Sequence, residues 1–210
     1  MSGEVVLYDY WRSSAAYRVR IALNLKDVAY RAVTIDLAGG DQLTADYHSK
    51  NPLGLIPLLE IDGYRLSQSL AIIDYLDAIY PEPKMVSSDP AARSVTLAQA
   101  LTIAAEVHPL QNLRVLKYLR GPMGQSDEAV AAFVRNWQGI GLAALEQQAP
   151  DSGFFGGAMP NLTDVCLVPQ MYGARRFELP LDDLPRLVSI DAELQALPAF
   201  AAAAPEAVKP

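Results

Sequence analysis

Val5-Val6-Leu7-Tyr8, followed by Tyr10-Trp11-Arg12-Ser13-Ser14-Ala15-Ala16-Tyr17-Arg18-Val19-Arg20-Ile21-Ala22-Leu23-Asn24-Leu25-Lys26, decides how the rest of the chain is read. The apolar run makes a short strand, and a polar turn holding Arg12, Ser13 and Ser14 ends it. Val19, Ala22, Leu23 and Lys26 then recur at helical spacing and predict a helix over Ala15–Leu25. Backbone N–H groups at such a helix start have no partner within the helix, and the dipole there is positive. Two readings of the serines follow. One hydroxyl caps the helix, or the turn holds an anion, for which an ionised thiol is a candidate.

Working outward, Tyr30–Ile35 alternates as a strand does, and Gly39-Gly40 breaks the chain before the polar segment Gln42–Ser49. Asp62-Gly63 stands between the apolar runs Leu55–Ile61 and Tyr64–Leu66, a hairpin signal. Ser67-Gln68-Ser69 precedes the helical run Leu70–Leu76. The order is βαβ–α–ββα. A βαβ unit forces a parallel pair and a hairpin an antiparallel one, so a mixed sheet with helices on both faces is predicted. Pro57 falls at a strand entry, where a missing N–H is tolerated. Only about 5–6% of X-Pro bonds in folded proteins are cis, so local sequence leaves this bond open.

Tyr80–Pro90 carries Pro81, Pro83, Ser87, Ser88, Asp89 and Pro90 and reads as a linker. Beyond it the pattern is helical: one long helix over Ala91–Leu119, then Glu128–Gln148, Thr163–Phe177 and Pro185–Leu197, with a weakly ordered Ala-rich tail over Ala199–Pro210. The fold class is therefore α/β plus all-α, with expected domains 1–82 and 88–210.

The 210 residues are ample for a core, and 51% apolar with 20% charged residues is an ordinary globular balance. The net charge of −7 argues against nonspecific binding to nucleic acid or an anionic membrane. An anionic ligand therefore needs a local cluster of cations. Cys166 is the only cysteine, which excludes an intrachain disulfide or a cysteine metal site and suits a reducing compartment. No basic stretch leads into an apolar run at the N-terminus, and no apolar stretch reaches the roughly 18 residues of a membrane span, so the expectation is cytoplasmic.

Ser67-Gln68-Ser69 is a second helix start, open to the same two readings of plain cap or carboxylate site. Ile56 could offer its backbone N–H and C=O to a peptide-like ligand as a strand does. Asn161-Leu162-Thr163-Asp164 reads as a capping arrangement, and Arg175-Arg176 closes that helix either as a solvated end or with a guanidinium aimed at a carboxylate. His48 and His108 have no partners at metal-site spacing, so no metal is expected. His108-Pro109 should kink the long helix and could turn its polar groups toward the first domain. A phosphate-binding glycine loop and a Gly-x-Ser-x-Gly elbow are both absent.

Several of these runs, in one order, resemble the zeta-class glutathione transferases and in particular the bacterial maleylacetoacetate isomerases. They are Arg12-Ser13-Ser14 with Arg18–Leu23, Asn51-Pro52 with Pro57, Gln68–Ile73, Pro109–Leu113 and Asp164–Gln170. The resemblance implies an N-terminal thioredoxin-like domain, a C-terminal helical glutathione-transferase domain and a homodimer. It implies glutathione as cofactor and cis–trans isomerisation of a small diacid, maleylacetoacetate, with maleylpyruvate isomerisation or transfer and dehalogenation of α-halo acids as alternatives.

By the same resemblance Ser13 faces the glutathione sulfur, with Ser14 beside it in the catalytic turn and Ala15, Ala16, Tyr17 and Arg18 completing the loop. Gln42, Ile56, Pro57 (matching a cis-proline), Gln68 and Ser69 match further glutathione contacts. His108, Asn112, Leu113 and Arg114 match those of the helical half, and Arg176 matches the substrate-carboxylate position. Arg12 joins it as a substrate contact because an acidic chain must supply local positive charge to the developing enolate. Two departures stand out. Many members have Cys-Ser where this chain has Ala15-Ala16, and some have glutamine in place of His108.

Overall fold

In the computed structural model, which describes residues 4–210, the opening strand β1 (Val6–Asp9) is an inner strand of a four-stranded sheet. The helix predicted after the Ser-Ser turn is α1 (Ser14–Leu25), and it crosses over to β2 (Arg31–Thr34), which pairs parallel to β1. On its other side β1 pairs antiparallel with β3 (Leu58–Ile61), with Val6 opposite Glu60 and Tyr8 opposite Leu58. β3 turns through Asp62-Gly63 into β4 (Tyr64–Ser67); φ is 52° and 80° at these two residues, as a two-residue hairpin turn requires. The mixed sheet has the order β2-β1-β3-β4.

Successive side chains of a strand point to opposite faces. Tyr8 meets Tyr47 of α2 (Ala45–Lys50) edge to face, and Asp9 meets Arg20 of α1, so α2 and α1 lie on opposite faces. α3 (Ser69–Ile79) packs beside α1. Leu7, Leu59, Ile72, Ile73 and Leu76 are fully excluded from solvent in this layer. Burying each stabilises the body by about 1.5–3 kcal/mol. Lys26, the C-cap of α1, has its ammonium buried against Asp77 (2.7 Å) and the carbonyls of Tyr80 (2.5 Å) and Pro83 (2.6 Å). One cation thus ties the first helix to the start of the predicted linker. The Ile56-Pro57 and Glu82-Pro83 bonds are cis.

A second compact body spans Met85–Gln195. It contains α4 (Pro90–Leu101), α5 (Leu113–Arg120), α6 (Asp127–Glu146), α7 (Leu162–Arg176) and α8 (Pro185–Gln195). The long helix expected over Ala91–Leu119 is interrupted at His108-Pro109, as the proline predicts, but the break begins earlier, at Thr102. After α4 the backbone widens into a π-helical turn at Thr102–Val107, tightens into a 3₁₀ turn at His108–Gln111, and restarts at α5 with Asn112 as N-cap. Gly141 on α6 lies against this break, and a Cβ there would collide with Val107 Cγ2. The turn is held from within by three buried amides: Gln138 Nε2 donates to Gln111 Oε1, and Gln111 Nε2 to Gln170 Oε1 (2.6 Å). The expected cap of α7 is present in full, with Asn161 and Asp164 each accepting from the other's turn.

The tail also departs from expectation. Residues Ala196–Pro210 belong to the first compact body, which otherwise runs up to Lys84, rather than to the helical one. The tail forms the short helices α9 (Pro198–Ala201) and α10 (Pro205–Val208), with Phe200 and Ala203 wholly buried. No helix among the described residues is long and apolar enough to cross a membrane.

Candidate active site

The pairing of the sheet decides what meets at its end. β1 runs out at Asp9, its parallel neighbour β2 runs out beside it, and Ile35 N–H donates to the Asp9 carbonyl (2.8 Å). β3 is antiparallel to both β1 and β4, so its entry residue Leu58 lies opposite Tyr8 and Ser67. The segments that follow β1 and β4 and precede β3 therefore share one end of the sheet. They carry Arg12–Arg18, Gln68-Ser69 and Ile56-Pro57. Gln42 joins them through its loop: a Cβ on Gly54 would stand 2.9 Å from the Gln42 carbonyl, and Gly54 itself has φ +59°.

At the first helix start both sequence readings meet in one residue. Ser13 is the N-cap of α1, with extended backbone and Oγ accepting from Ala16 N–H at 3.3 Å. A hydroxyl has two lone pairs and one hydrogen, so this cap bond leaves the hydrogen to be donated. Ser14 is the first helical residue, Ala15 follows half-buried, and Ala16, Tyr17 and Arg18 are buried. Arg18 reaches across to the second helix start, where Nη1 donates to Ser69 Oγ (3.3 Å).

Gln68, not a serine, is the N-cap of α3, and it makes no side-chain cap bond. Its φ is +69° with ψ 114°. That left-handed backbone costs a non-glycine residue about 1–3 kcal/mol and tends to persist at binding sites. The plain-cap reading of Ser67-Gln68-Ser69 is thereby replaced by an exposed glutamine and the open N–H end of a helix. Gln42 is buried, and its Oε1 has no hydrogen-bond partner among the described residues.

Two residues that the sequence reading did not single out support this end of the sheet. Tyr47 Oη (2.8 Å) and Asn51 Nδ2 (2.7 Å) both donate to the Leu55 carbonyl, immediately before Ile56. Burial pushes the Tyr47 phenol up to about 12, so it stays a donor at any working pH. Asn51 was visible as part of the Asn-Pro run, but its role needs the folded loop.

The remaining predicted residues lie in the helical body. His108 opens the 3₁₀ turn, Asn112 caps α5 by accepting from Arg114 N–H (3.2 Å), and Leu113 and Arg114 are exposed at that helix start. The two arginines that close α7 separate. Arg175 is bound to the buried Asp191 (2.6 Å), whereas Arg176 is exposed with its guanidinium 4.9 Å from the Phe177 ring centre.

A four-stranded mixed sheet entered by a cis-proline, two helix starts at one end of it, and a following helical body define a glutathione-transferase architecture. The family model for the glutathione S-transferase N-terminal domain matches residues 7–84. The chain is 49% identical over 207 residues to a probable maleylacetoacetate isomerase of Vibrio cholerae, covering 96% of each chain. A solved structure described as holo maleylpyruvate isomerase, a bacterial zeta-class glutathione S-transferase, superposes with a TM-score of 0.94 at 36% identity, covering 97% of this chain and 98% of that one. Maleylacetoacetate isomerase of Anaeromyxobacter dehalogenans, solved with glutathione in its active site, superposes with a TM-score of 0.88 at 37% identity and covers 98% and 97%. This chain belongs to the zeta-class glutathione transferases, the family of the maleylacetoacetate isomerases.

Proposed function

We propose that the protein is a glutathione-dependent isomerase that converts maleylacetoacetate to fumarylacetoacetate in the breakdown of aromatic amino acids, working as a cytoplasmic homodimer. Support for the substrate comes from the 49% identical Vibrio cholerae relative. The observation that carries the mechanism is Ser13 at a helix start, with one lone pair engaged by Ala16 N–H and its hydrogen still to give.

Glutathione fits the first body on two counts. The buried Gln42 Oε1 lacks a donor, which a peptide N–H can supply, and the uncapped start of α3 at Gln68-Ser69 suits a carboxylate. Ile56 and Pro57 present the backbone leading into β3 to the peptide backbone, while Ser13, Ser14 and Ala15 line the sulfur end; the buried Ala16, Tyr17 and Arg18 back that turn, with Arg18 holding Ser69 at the carboxylate end. His108, Asn112, Leu113 and Arg114 are the proposed contacts of the helical body. Bound glutathione supplies a thiolate, which adds to the cis double bond and leaves after rotation. Ser13 donates its hydrogen bond to that sulfur, and the α1 N-terminus adds positive potential; both favour the ionised form. Arg12 and Arg176 are the proposed carboxylate partners, needed because the chain as a whole is acidic. With alanine at 15 and 16, no thiol of the protein's own lies in this turn.

A second reading, isomerisation of maleylpyruvate, is favoured by the 0.94 TM-score of the maleylpyruvate isomerase structure. Incubation with each diacid and substoichiometric glutathione, followed by separation of cis and trans products, distinguishes the two. Faster turnover of maleylacetoacetate is expected. Turnover of maleylpyruvate alone would reverse the assignment, and turnover without glutathione would remove the mechanism.

A further inference from the structure

Arg20 lies on α1 with its side chain wholly excluded from solvent. Its guanidinium reaches three separate places. Nη1 donates to both carboxylate oxygens of Asp9 (2.7 and 2.9 Å), Nη2 to the Trp11 carbonyl (3.0 Å) and Nε to the Ala203 carbonyl (2.9 Å). Asp9 ends the central strand, Trp11 begins the Arg12-Ser13 turn, and Ala203 lies 183 residues beyond Arg20 in the chain. We propose that Arg20 is a positioning residue that makes the Pro198–Lys209 segment a working support of the Arg12-Ser13 turn. This rests on the functional reading above and adds to it a residue and a segment outside the ligand contacts.

The chemistry of the cluster favours this over simple packing. A buried ion pair is replaceable by apolar side chains of similar volume with little loss of stability, so packing alone does not call for one. An apolar side chain cannot hold a strand end, a turn carbonyl and a tail carbonyl at fixed angles, whereas a planar guanidinium with five donors can. The tail is seated independently as well. Phe200 and Ala203 are fully buried, and Asn24 Nδ2, on the same helix as Arg20, donates to the Ala199 carbonyl (2.9 Å). From that seat the segment returns to the turn. Lys209 Nζ stands 5.2 Å from the Trp11 ring centre, and the Arg12 guanidinium stands 5.2 Å from the same ring. The ring that Arg12 rests on is thus held by its carbonyl through Arg20 and by its face through the tail.

The test compares Arg20→Lys, a chain ending at Leu197, both changes together, and Asn24→Ala, each with wild-type melting and circular dichroism as controls. In Arg20→Lys and in the shortened chain, kcat for isomerisation is expected to fall about tenfold, because small misplacements of reacting groups are costly. The glutathione KM should stay within about twofold, and the double change should be no worse than the worse single one, since both release the same support. Asn24→Ala removes one tail bond and should lower kcat about two- to threefold in a folded protein. It decides the matter if the larger changes fail to fold. A second readout is independent of activity: in a Trp137→Phe background, Trp11 emission should shift to the red and become easier to quench in every variant. Wild-type kcat in the shortened chain or in Asn24→Ala, multiplying effects in the double variant, or unchanged Trp11 emission would each overturn the proposal. Lack of glutathione-dependent turnover in the wild type would instead sink the functional reading, and the Trp11 emission would still judge the role of Arg20.

Discussion

Ser13 carries two hydrogen-bonding roles that the sequence could only set against each other. As N-cap it accepts from Ala16 N–H, and accepting a bond polarises the hydroxyl, so the same geometry that stabilises α1 makes it a better donor. Ser14, one residue on, is already inside the helix and has no comparable position. Ser13→Ala should therefore cost about 1 kcal/mol of stability for the lost cap. It should also lower kcat/KM about 10- to 100-fold at pH 7, the scale of one lost hydrogen bond to a charged group. A free thiol ionises near pH 8.5, so the deficit should shrink at pH 9, where glutathione ionises unaided. Rate–pH profiles of the two proteins check this, with Ser14→Ala as the comparison expected to stay near wild type. A deficit of equal size at pH 7 and pH 9 would rule out stabilisation of the thiolate by Ser13.

Among the elements, the loop between α2 and β3 is the one whose construction best explains its use. The Leu55 carbonyl takes hydrogen bonds from Tyr47 and Asn51, and Asn51 Oδ1 also accepts from Leu53 N–H (3.3 Å). The backbone ahead of Ile56 is thus fixed before any ligand arrives. Tyr47→Phe should cost about 1 kcal/mol and Asn51→Ala about 1–3 kcal/mol, since the latter leaves buried groups unpaired. Glutathione KM should rise in the same order with kcat little changed; calorimetric binding and steady-state kinetics check this, and a loss confined to kcat would contradict it. The loop also marks how far local sequence reaches. The strands, the hairpin and the helix starts were legible because each rests on alternation, on Asp62-Gly63 or on a polar residue ahead of an apolar run. The π-helical break at Thr102–Val107 was not, because it depends on Gly141, on another helix, and on the amides of Gln138 and Gln170. The tail was misread for the same reason: its Ala-rich composition has no helical stripe, and what seats it is the burial of Phe200 and Ala203 with bonds from Asn24 and Arg20, on the far side of the sequence. The same held for Gln68, since a left-handed glutamine carries no signature in the residue type.

On the scale of the whole molecule, the response to pH combines an acidic surface with a buried carboxyl. Asp164 is wholly buried, and its two oxygens accept from the N–H groups of Phe155 (3.0 Å), Gly156 (3.0 Å) and Asn161 (2.8 Å). Burial outweighs these donors and pushes its carboxyl from 3.8 up to about 6. A carboxyl whose native pKa is raised binds its proton more tightly folded than unfolded. Its contribution to stability is therefore complete below about pH 4 and is lost as pH rises through about 6. Between pH 8 and pH 5.5 this amounts to a gain of about 1 kcal/mol on acidification. The net charge of −7 acts in the same direction, because mutual repulsion on the surface weakens as carboxylates protonate. For a chain of this length about 1 kcal/mol corresponds to a rise in Tm of about 2–4 °C. Asp164→Asn separates the two contributions. An amide has a single oxygen for three donors, so the variant should be less stable at every pH by about 1–3 kcal/mol. It has nothing to titrate at this position, so its Tm should gain less than that of the wild type between pH 8 and pH 5.5. Thermal melts of both proteins across that range measure the difference directly, and parallel pH curves would show that Asp164 does not titrate where its burial requires.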